Sequence, residues 1–100
     1  MSGGCHPISF EAEVIRFDGP GGWHGIFLPT DAASEARFFG RANALGAIAV
    51  RAQFGATEVR TSLFPDKRRD SFLLPLKATV RRTENVKEGD RITVTLLVDL

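Results

Sequence analysis

The sequence predicts a mostly-β domain: a small barrel of about six strands with one or two short helices, its halves related by an internal pseudo-two-fold repeat. Three observations predict it. Apolar residues alternate with polar ones along several segments, most cleanly at Ile92, Val94, Leu96, Val98 and Leu100, the two-residue period of a half-buried strand. Turn-forming Gly, Pro, Asp and Asn punctuate these segments at short intervals. The order strand, turn, short strand ending in Leu-Pro, helix, strand occupies residues 8–54 and recurs over 58–99. Its two Leu-Pro steps, Leu28-Pro29 and Leu74-Pro75, lie 46 residues apart.

The elements follow in order. Met1 to Pro7 is small and polar and reads as a disordered N-terminus ahead of a single domain over 8–100. Ile8, Phe10, Ala12 and Val14 alternate with Ser9, Glu11 and Glu13, giving a first strand. Asp18 to Gly22 is a glycine-rich turn, and Trp23 to Leu28 a short apolar strand. Thr30 is a good N-cap for a helix stopped by Gly40, with Asp31 favourable in its first turn and Ala32, Ala36 and Phe39 on one face.

Gly46 to Phe54 is the next strand, with Ile48, Val50, Ala52 and Phe54 in phase. Gly55-Ala56-Thr57 turns the chain into Glu58–Phe64, where Val59, Thr61 and Leu63 share a face. Pro65 to Asp70 is a charged loop. Phe72 to Leu74 is a short strand stopped by Pro75, and Leu76 to Thr83 makes about two helical turns. Val86 to Asp90 is a turn into the last strand. Gly89 supplies the positive φ such a turn needs, and Asp90 a local hydrogen-bond acceptor.

Composition narrows the function. One hundred residues, 43% hydrophobic with eight Phe and one Trp, support one core that buries roughly 60–70% of the unfolded surface. The lone Cys5 forms no internal disulfide, no apolar run reaches the ~20 residues of a membrane span, and Met1-Ser2-Gly3-Gly4 is no signal peptide. These features predict a cytoplasmic protein without membrane contact. The net charge is +1, but residues 1–50 carry three basic and five acidic side chains and residues 51–100 ten and seven, which points to a basic face on the second half.

Gly21-Gly22-Trp23, Leu28-Pro29, Ser62-Leu63-Phe64-Pro65-Asp66-Lys67, Leu74-Pro75-Leu76-Lys77, Val80-Arg81 and Glu88-Gly89-Asp90 occur in that order. As a set they closely resemble the bacterial family known as domain of unknown function 1905, over about residues 8–98. That resemblance implies a small β-barrel, alone or beside a domain of the YdeI/OmpD-associated kind, and implies no activity. More distantly, Phe72 to Lys77, Val80-Arg81 and Val86 to Val94 look like the strand-Pro-helix-Gly-Asp-strand half of AbrB- or MazE-type swapped-hairpin proteins. Two such halves in one chain imply a double-split barrel that is a single-chain pseudo-dimer, hence a monomer. The likeness departs at Thr83-Glu84-Asn85 and is looser in the first half.

The chemistry-bearing residues point to binding. Cys5, His6 and His24 are too few and too badly spaced for a zinc site, which wants three or four ligands. Cys5 and His6, next to each other near the terminus, are not held as nucleophile and base. No P-loop, dinucleotide fingerprint or nucleophile elbow is present. The expectation is no enzyme, no cofactor and no metal. Lys77 and Arg81 share a helix face at i,i+4, and with Ser62 or Lys67 opposite they would clamp a carboxylate or phosphate. The bland reading of Arg81 and Arg82 is that they offset the helix dipole.

Trp23, after the glycine turn, would wall such a site or stack on a planar ligand; its bland reading is a plug in the barrel end. The leading expectation is therefore a binding module for an anionic small molecule or an acidic protein segment, using Trp23, Ser62, Lys67, Lys77 and Arg81. The alternative is sequence-tolerant nucleic-acid binding by Lys67, Arg68, Arg69, Arg81 and Arg82, although no aromatic series is interleaved with these cations along the chain. A third is a domain that docks another protein chain through an exposed apolar patch.

Overall fold

The computed structural model describes residues 4–17 and 23–99. Their order is β1 (Cys5–Glu13), β2 (Ile15–Arg16), β3 (His24–Phe27), α1 (Thr30–Phe39), β4 (Ile48–Phe54), β5 (Thr57–Asp66), β6 (Ser71–Leu76), α2 (Ala78–Thr83) and β7 (Arg91–Asp99). The seven strands form one antiparallel sheet ordered β1-β7-β4-β5-β6-β3-β2. Its outermost members, β1 and β2, are successive segments of one chain stretch separated only by Val14. The sheet therefore curls until the chain meets itself, a mostly-β half-barrel with two short helices.

Two strand switches produce the curl. Val14 is fully buried; its N–H donates to the Asp90 carbonyl at 2.8 Å, and its own carbonyl accepts the Gly89 N–H at 2.9 Å. The turn that grips it is built as the sequence predicts: Gly89 has φ +89°, and Asp90 Oδ2 accepts the Lys87 N–H at 3.0 Å. Pinned there, the chain leaves β7 and joins β3 as β2. β5 changes partner likewise, pairing with β4 up to Leu63 and with β6 from Phe64.

Alternation then fixes the core. Val14, Ile26, Leu63, Leu74, Val94 and Leu96 point inward and expose nothing. Burial of each contributes about 1.5–3 kcal/mol. α1 packs Ala32, Ala33 and Ala36 onto the core, and α2 contributes Val80. Gly40 ends α1 with an ordinary φ of −80°, so its requirement is steric: a Cβ would stand 2.6 Å from the Ala36 carbonyl oxygen and 2.7 Å from Ile48 Cγ2.

Several boundaries differ from expectation. β1 starts at Cys5, three residues before Ile8, and alternation sends Cys5 and His6 to opposite faces. Cys5 accepts from Arg51 Nη2, whereas His6 Nε2 lies 3.0 Å from Glu35 Oε1. Thr30 is the first helical residue and not the cap; Pro29 takes the cap position and its carbonyl accepts the Ala33 N–H. Pro75 does not stop its strand, since β6 runs on to Leu76. The Phe72 carbonyl accepts the Leu28 N–H just past β3, so by alternation residue 75 turns its nitrogen toward β5, whose pairing has ended at Leu73. The missing donor thus costs no ladder bond.

α2 accordingly begins at Ala78, leaving Leu76 in the strand. The helix starts Thr30 and Ala78 are 48 residues apart, two more than the Leu-Pro steps. The glycine turn Asp18–Gly22, Met1 to Gly3 and Leu100 lie outside the described residues. Among the described residues no helix is long and apolar enough to cross a membrane.

Candidate functional site

The outward face of β2, β3, β6 and β5 carries a strip of aromatic residues. Because Ile26 and Leu74 point into the core, Gly25, Phe27, Leu73 and Pro75 face away from it. The pairs Phe64↔Leu73 and Phe27↔Leu73 set Phe64, Leu73 and Phe27 in one row across three strands, about 10 Å from end to end. Pro75, Gly25 and Ile15 form the next row. A Cβ on Gly25 would approach Leu73 Cδ1 to 2.9 Å, the Leu74 carbonyl oxygen to 3.0 Å and Phe17 Cε2 to 3.4 Å. Glycine is what lets the Phe17 ring lie over the strand.

From that seat Phe17 meets Phe27 edge-on, centroids 5.7 Å apart, and stacks on Trp23 at 4.6 Å with planes 19° apart. The Phe17 N–H donates to the Trp23 carbonyl at 2.9 Å, so the backbone holds the two rings together. Trp23 remains 45% exposed and Phe64 47%. Trp23 is thus not a plug in the barrel end. It is an open stacking surface on the outer face.

Cations flank the strip at both ends. In the β5–β6 turn, Asp66 Oδ1 accepts the N–H groups of Arg68 at 3.0 Å and Arg69 at 3.2 Å. Asp66 Oδ2 bonds Arg69 Nη1 at 3.1 Å. The Arg69 guanidinium lies 3.9 Å from the Phe27 centroid, joining the charge to the aromatic train. Arg37 of α1 braces the turn through the Asp70 carbonyl at 2.7 Å and Asp70 Oδ1 at 3.0 Å. Lys67 and Arg68 are exposed and enter no ion pair among the described residues. At the other end the register His24↔Leu76, carried one residue on, sets Lys77 across from Trp23. Lys77 still has extended φ and ψ there, −66° and 151°.

The residues singled out in the sequence are therefore distributed as follows. Trp23 and Lys77 share one corner. Arg81 stands one helical turn on, its N–H bonded to the Lys77 carbonyl at 3.0 Å and its Nε to the Leu76 carbonyl at 3.4 Å; Arg82 is exposed beside it. Lys67, Arg68 and Arg69 occupy the opposite end of β6, roughly 17 Å away along the strand. Ser62 lies on the β5 flank, opposite Ala49 and two residues from Phe64. Lys67 does not come up to Lys77 and Arg81. What fills the interval is Phe17, Phe27, Phe64 and Leu73, none of which the sequence reading placed in a site. For three of them the signal was phase: Phe64, Phe27 and Leu73 are out of step with the fully buried Leu63, Ile26 and Leu74, whereas Phe17 carries no such signal.

Two concavities lie elsewhere. A cleft of about 500 Å³ opens beside the β4–β5 turn, against Glu84 and β7. A smaller one of about 330 Å³ lies over Arg51 and Arg60, which face each other across β4 and β5, with Asp99 at its edge. Arg51 approaches Asp99 at 3.9 Å and Glu58 at 4.0 Å, whereas Arg60 enters no ion pair among the described residues. His24 is half-buried with Nδ1 buried and unbonded.

The family model described as domain of unknown function (DUF1905) matches residues 10–96. The chain belongs to this family. The motifs read in order along the sequence point to the same family. Every residue of the strip, from Phe17 to Lys77, falls within the matched span of this DUF1905 domain. No curated protein matches the chain.

Proposed function

We infer that this DUF1905 domain is a non-enzymatic binding module for single-stranded nucleic acid, with the outer face of β2, β3, β6 and β5 as its platform. One observation carries the reading: two open aromatic surfaces, Trp23 and Phe64, lie on a single sheet face with cations at both ends that enter no ion pair among the described residues. Binding of single strands without sequence preference combines these two elements, aromatic faces for bases and cations for phosphates. Lys67 and Arg68 would meet phosphates at one end, Lys77 with Arg81 and Arg82 at the other, and Ser62 would add a donor beside Phe64. Arg69 is already engaged by Asp66 and Phe27 and serves to hold the platform. An acidic peptide or anionic metabolite would use the same cations but leave Trp23 and Phe64 without planar partners.

The finer fold reading belongs to this proposal. A double-split, AbrB-like barrel pairs β1 and β2 with β5, β3 with β6, α1 with α2, and β4 with β7. Under that exchange the β1–β7 ladder becomes β5–β4 and β2–β3 becomes β5–β6, while β3–β6 and β4–β7 map onto themselves. The pairing of the observed ladders supports this reading. The spacing of the helix starts, 48 residues, and of the switch residues Val14 and Leu63, 49 residues, supports the same correspondence. A chain holding both halves is a monomer on this reading.

The test is fluorescence anisotropy of a labelled single-stranded oligonucleotide. With these five cations on phosphates, log affinity should fall with log salt at a slope of about −3.5, a loss of roughly 100-fold between ~50 and ~200 mM. The pair Lys67→Ala and Arg68→Ala should flatten the slope to about −2. An acidic peptide that competes fully with the oligonucleotide, or a flat salt response, would overturn the reading.

A further inference from the structure

We propose that the cleft beside the β4–β5 turn is a second, independent site, for a small organic cation with an apolar body. The cleft of about 500 Å³ falls within the 300–1,000 Å³ of small-molecule sites. Its floor is apolar, made by Phe54, Val86 and Ile92. Its polar lining is short of charge-compensating donors: Gln53, Thr93, Thr95 and Glu84 line it, and no Lys, Arg or His does. Thr95 Oγ1 already bonds Ser9 Oγ at 2.9 Å.

Glu84 is the one charged group, and it is held in place. Thr57 Oγ1 donates to Oε2 at 2.5 Å. Oε1 lies over Gly55, in the space a Cβ would occupy, and Gly55 has φ +60°. A side chain at position 55 would thus be strained by its backbone and would collide with the carboxylate. No donor among the described residues reaches Oε1. A fixed carboxylate with one unbonded oxygen, set above an apolar floor, has the chemistry for an ammonium group carried on a hydrocarbon. The Arg51 hollow has the opposite character, lined by the two guanidiniums of Arg51 and Arg60.

The probe is 2-phenylethylammonium, with the neutral isostere 2-phenylethanol as control, followed by amide chemical shifts in the intact chain. The amine should move the resonances of Gly55, Glu84, Val86 and Thr93, and should bind about tenfold more tightly than the alcohol. Glu84→Gln, which retains an acceptor for Thr57, should erase that difference without changing alcohol binding. Thr93→Lys, at an exposed wall position, should place a cation against Glu84 and abolish amine binding. Equal binding of amine and alcohol, unchanged amine affinity in Glu84→Gln with its melting temperature intact, or shifts confined to the Trp23 face would each overturn the proposal. The oligonucleotide titration does not involve this cleft, so the two sites stand or fall separately.

Discussion

Gly25→Ala is the perturbation that most directly tests how the platform is assembled. The added methyl would stand 2.9 Å from Leu73 Cδ1, 3.0 Å from the Leu74 carbonyl oxygen and 3.4 Å from Phe17 Cε2. Leu73 Cδ1 ends a flexible side chain and can rotate away. The carbonyl belongs to the β3–β6 ladder and cannot, so the strands must part slightly or Phe17 must ride up. Overpacking of this kind costs about 1–3 kcal/mol. The entropy that Ala removes from the unfolded chain offsets about 0.4–1 kcal/mol. The net expectation is a loss of about 1 kcal/mol, a fall in Tm of roughly 4–8 °C for a domain of this size. Because the chain has one Trp and no Tyr, its fluorescence reports Trp23 alone. Lifting Phe17 weakens the 4.6 Å stack, so the emission of Trp23 should shift in the same variant. An unchanged Tm together with an unchanged emission maximum would refute the account of Gly25 as the seat of the aromatic strip.

Three further variants probe the frame by urea denaturation. Gly40→Ala drives a methyl against a backbone oxygen and Ile48 with less room to yield, and should cost about 2 kcal/mol; a neutral result would mean that α1 does not end as described. Thr57→Val removes the donor to Glu84 and should cost about 1 kcal/mol, with no loss if that carboxylate is held some other way. Asp90→Ala strips the acceptor from the Lys87 N–H in the turn that grips Val14, again about 1 kcal/mol, and an unaffected midpoint would count against that turn as the origin of the curl.

Much of the frame was legible because it rests on short-range rules. The alternation of Ile92 through Val98 gives β7, and Gly89-Asp90 forms the turn it was read to form. The errors arose where tertiary contacts decide. Pro75 reads as a stop until β5 is seen to leave β6 for β4 before it, and Thr30 reads as a cap until the helix is seen to begin one residue earlier. The cations of the β5–β6 turn and Trp23 were visible, but Phe17, Phe27 and Phe64 were not. Those three come from separate strand regions, and only the pairing of β2, β3, β5 and β6 brings them onto one face with Trp23. Glu84 was passed over for a similar reason, since Thr57 and Gly55, which fix it, lie far back in the sequence.

The central claim is that Trp23 and its neighbours form a stacking platform for single strands, and Trp23 itself can report on it. Its emission should be quenched as a short oligothymidylate is titrated in at about 50 mM salt, with the midpoint moving up steeply by about 200 mM. The Phe64→Ala variant should bind more weakly by about 1–3 kcal/mol. Saturable, salt-sensitive quenching by the single strand, and much less by a duplex of the same length, is the predicted result. No quenching at low salt, or equal quenching by duplex and single strand, would contradict the account.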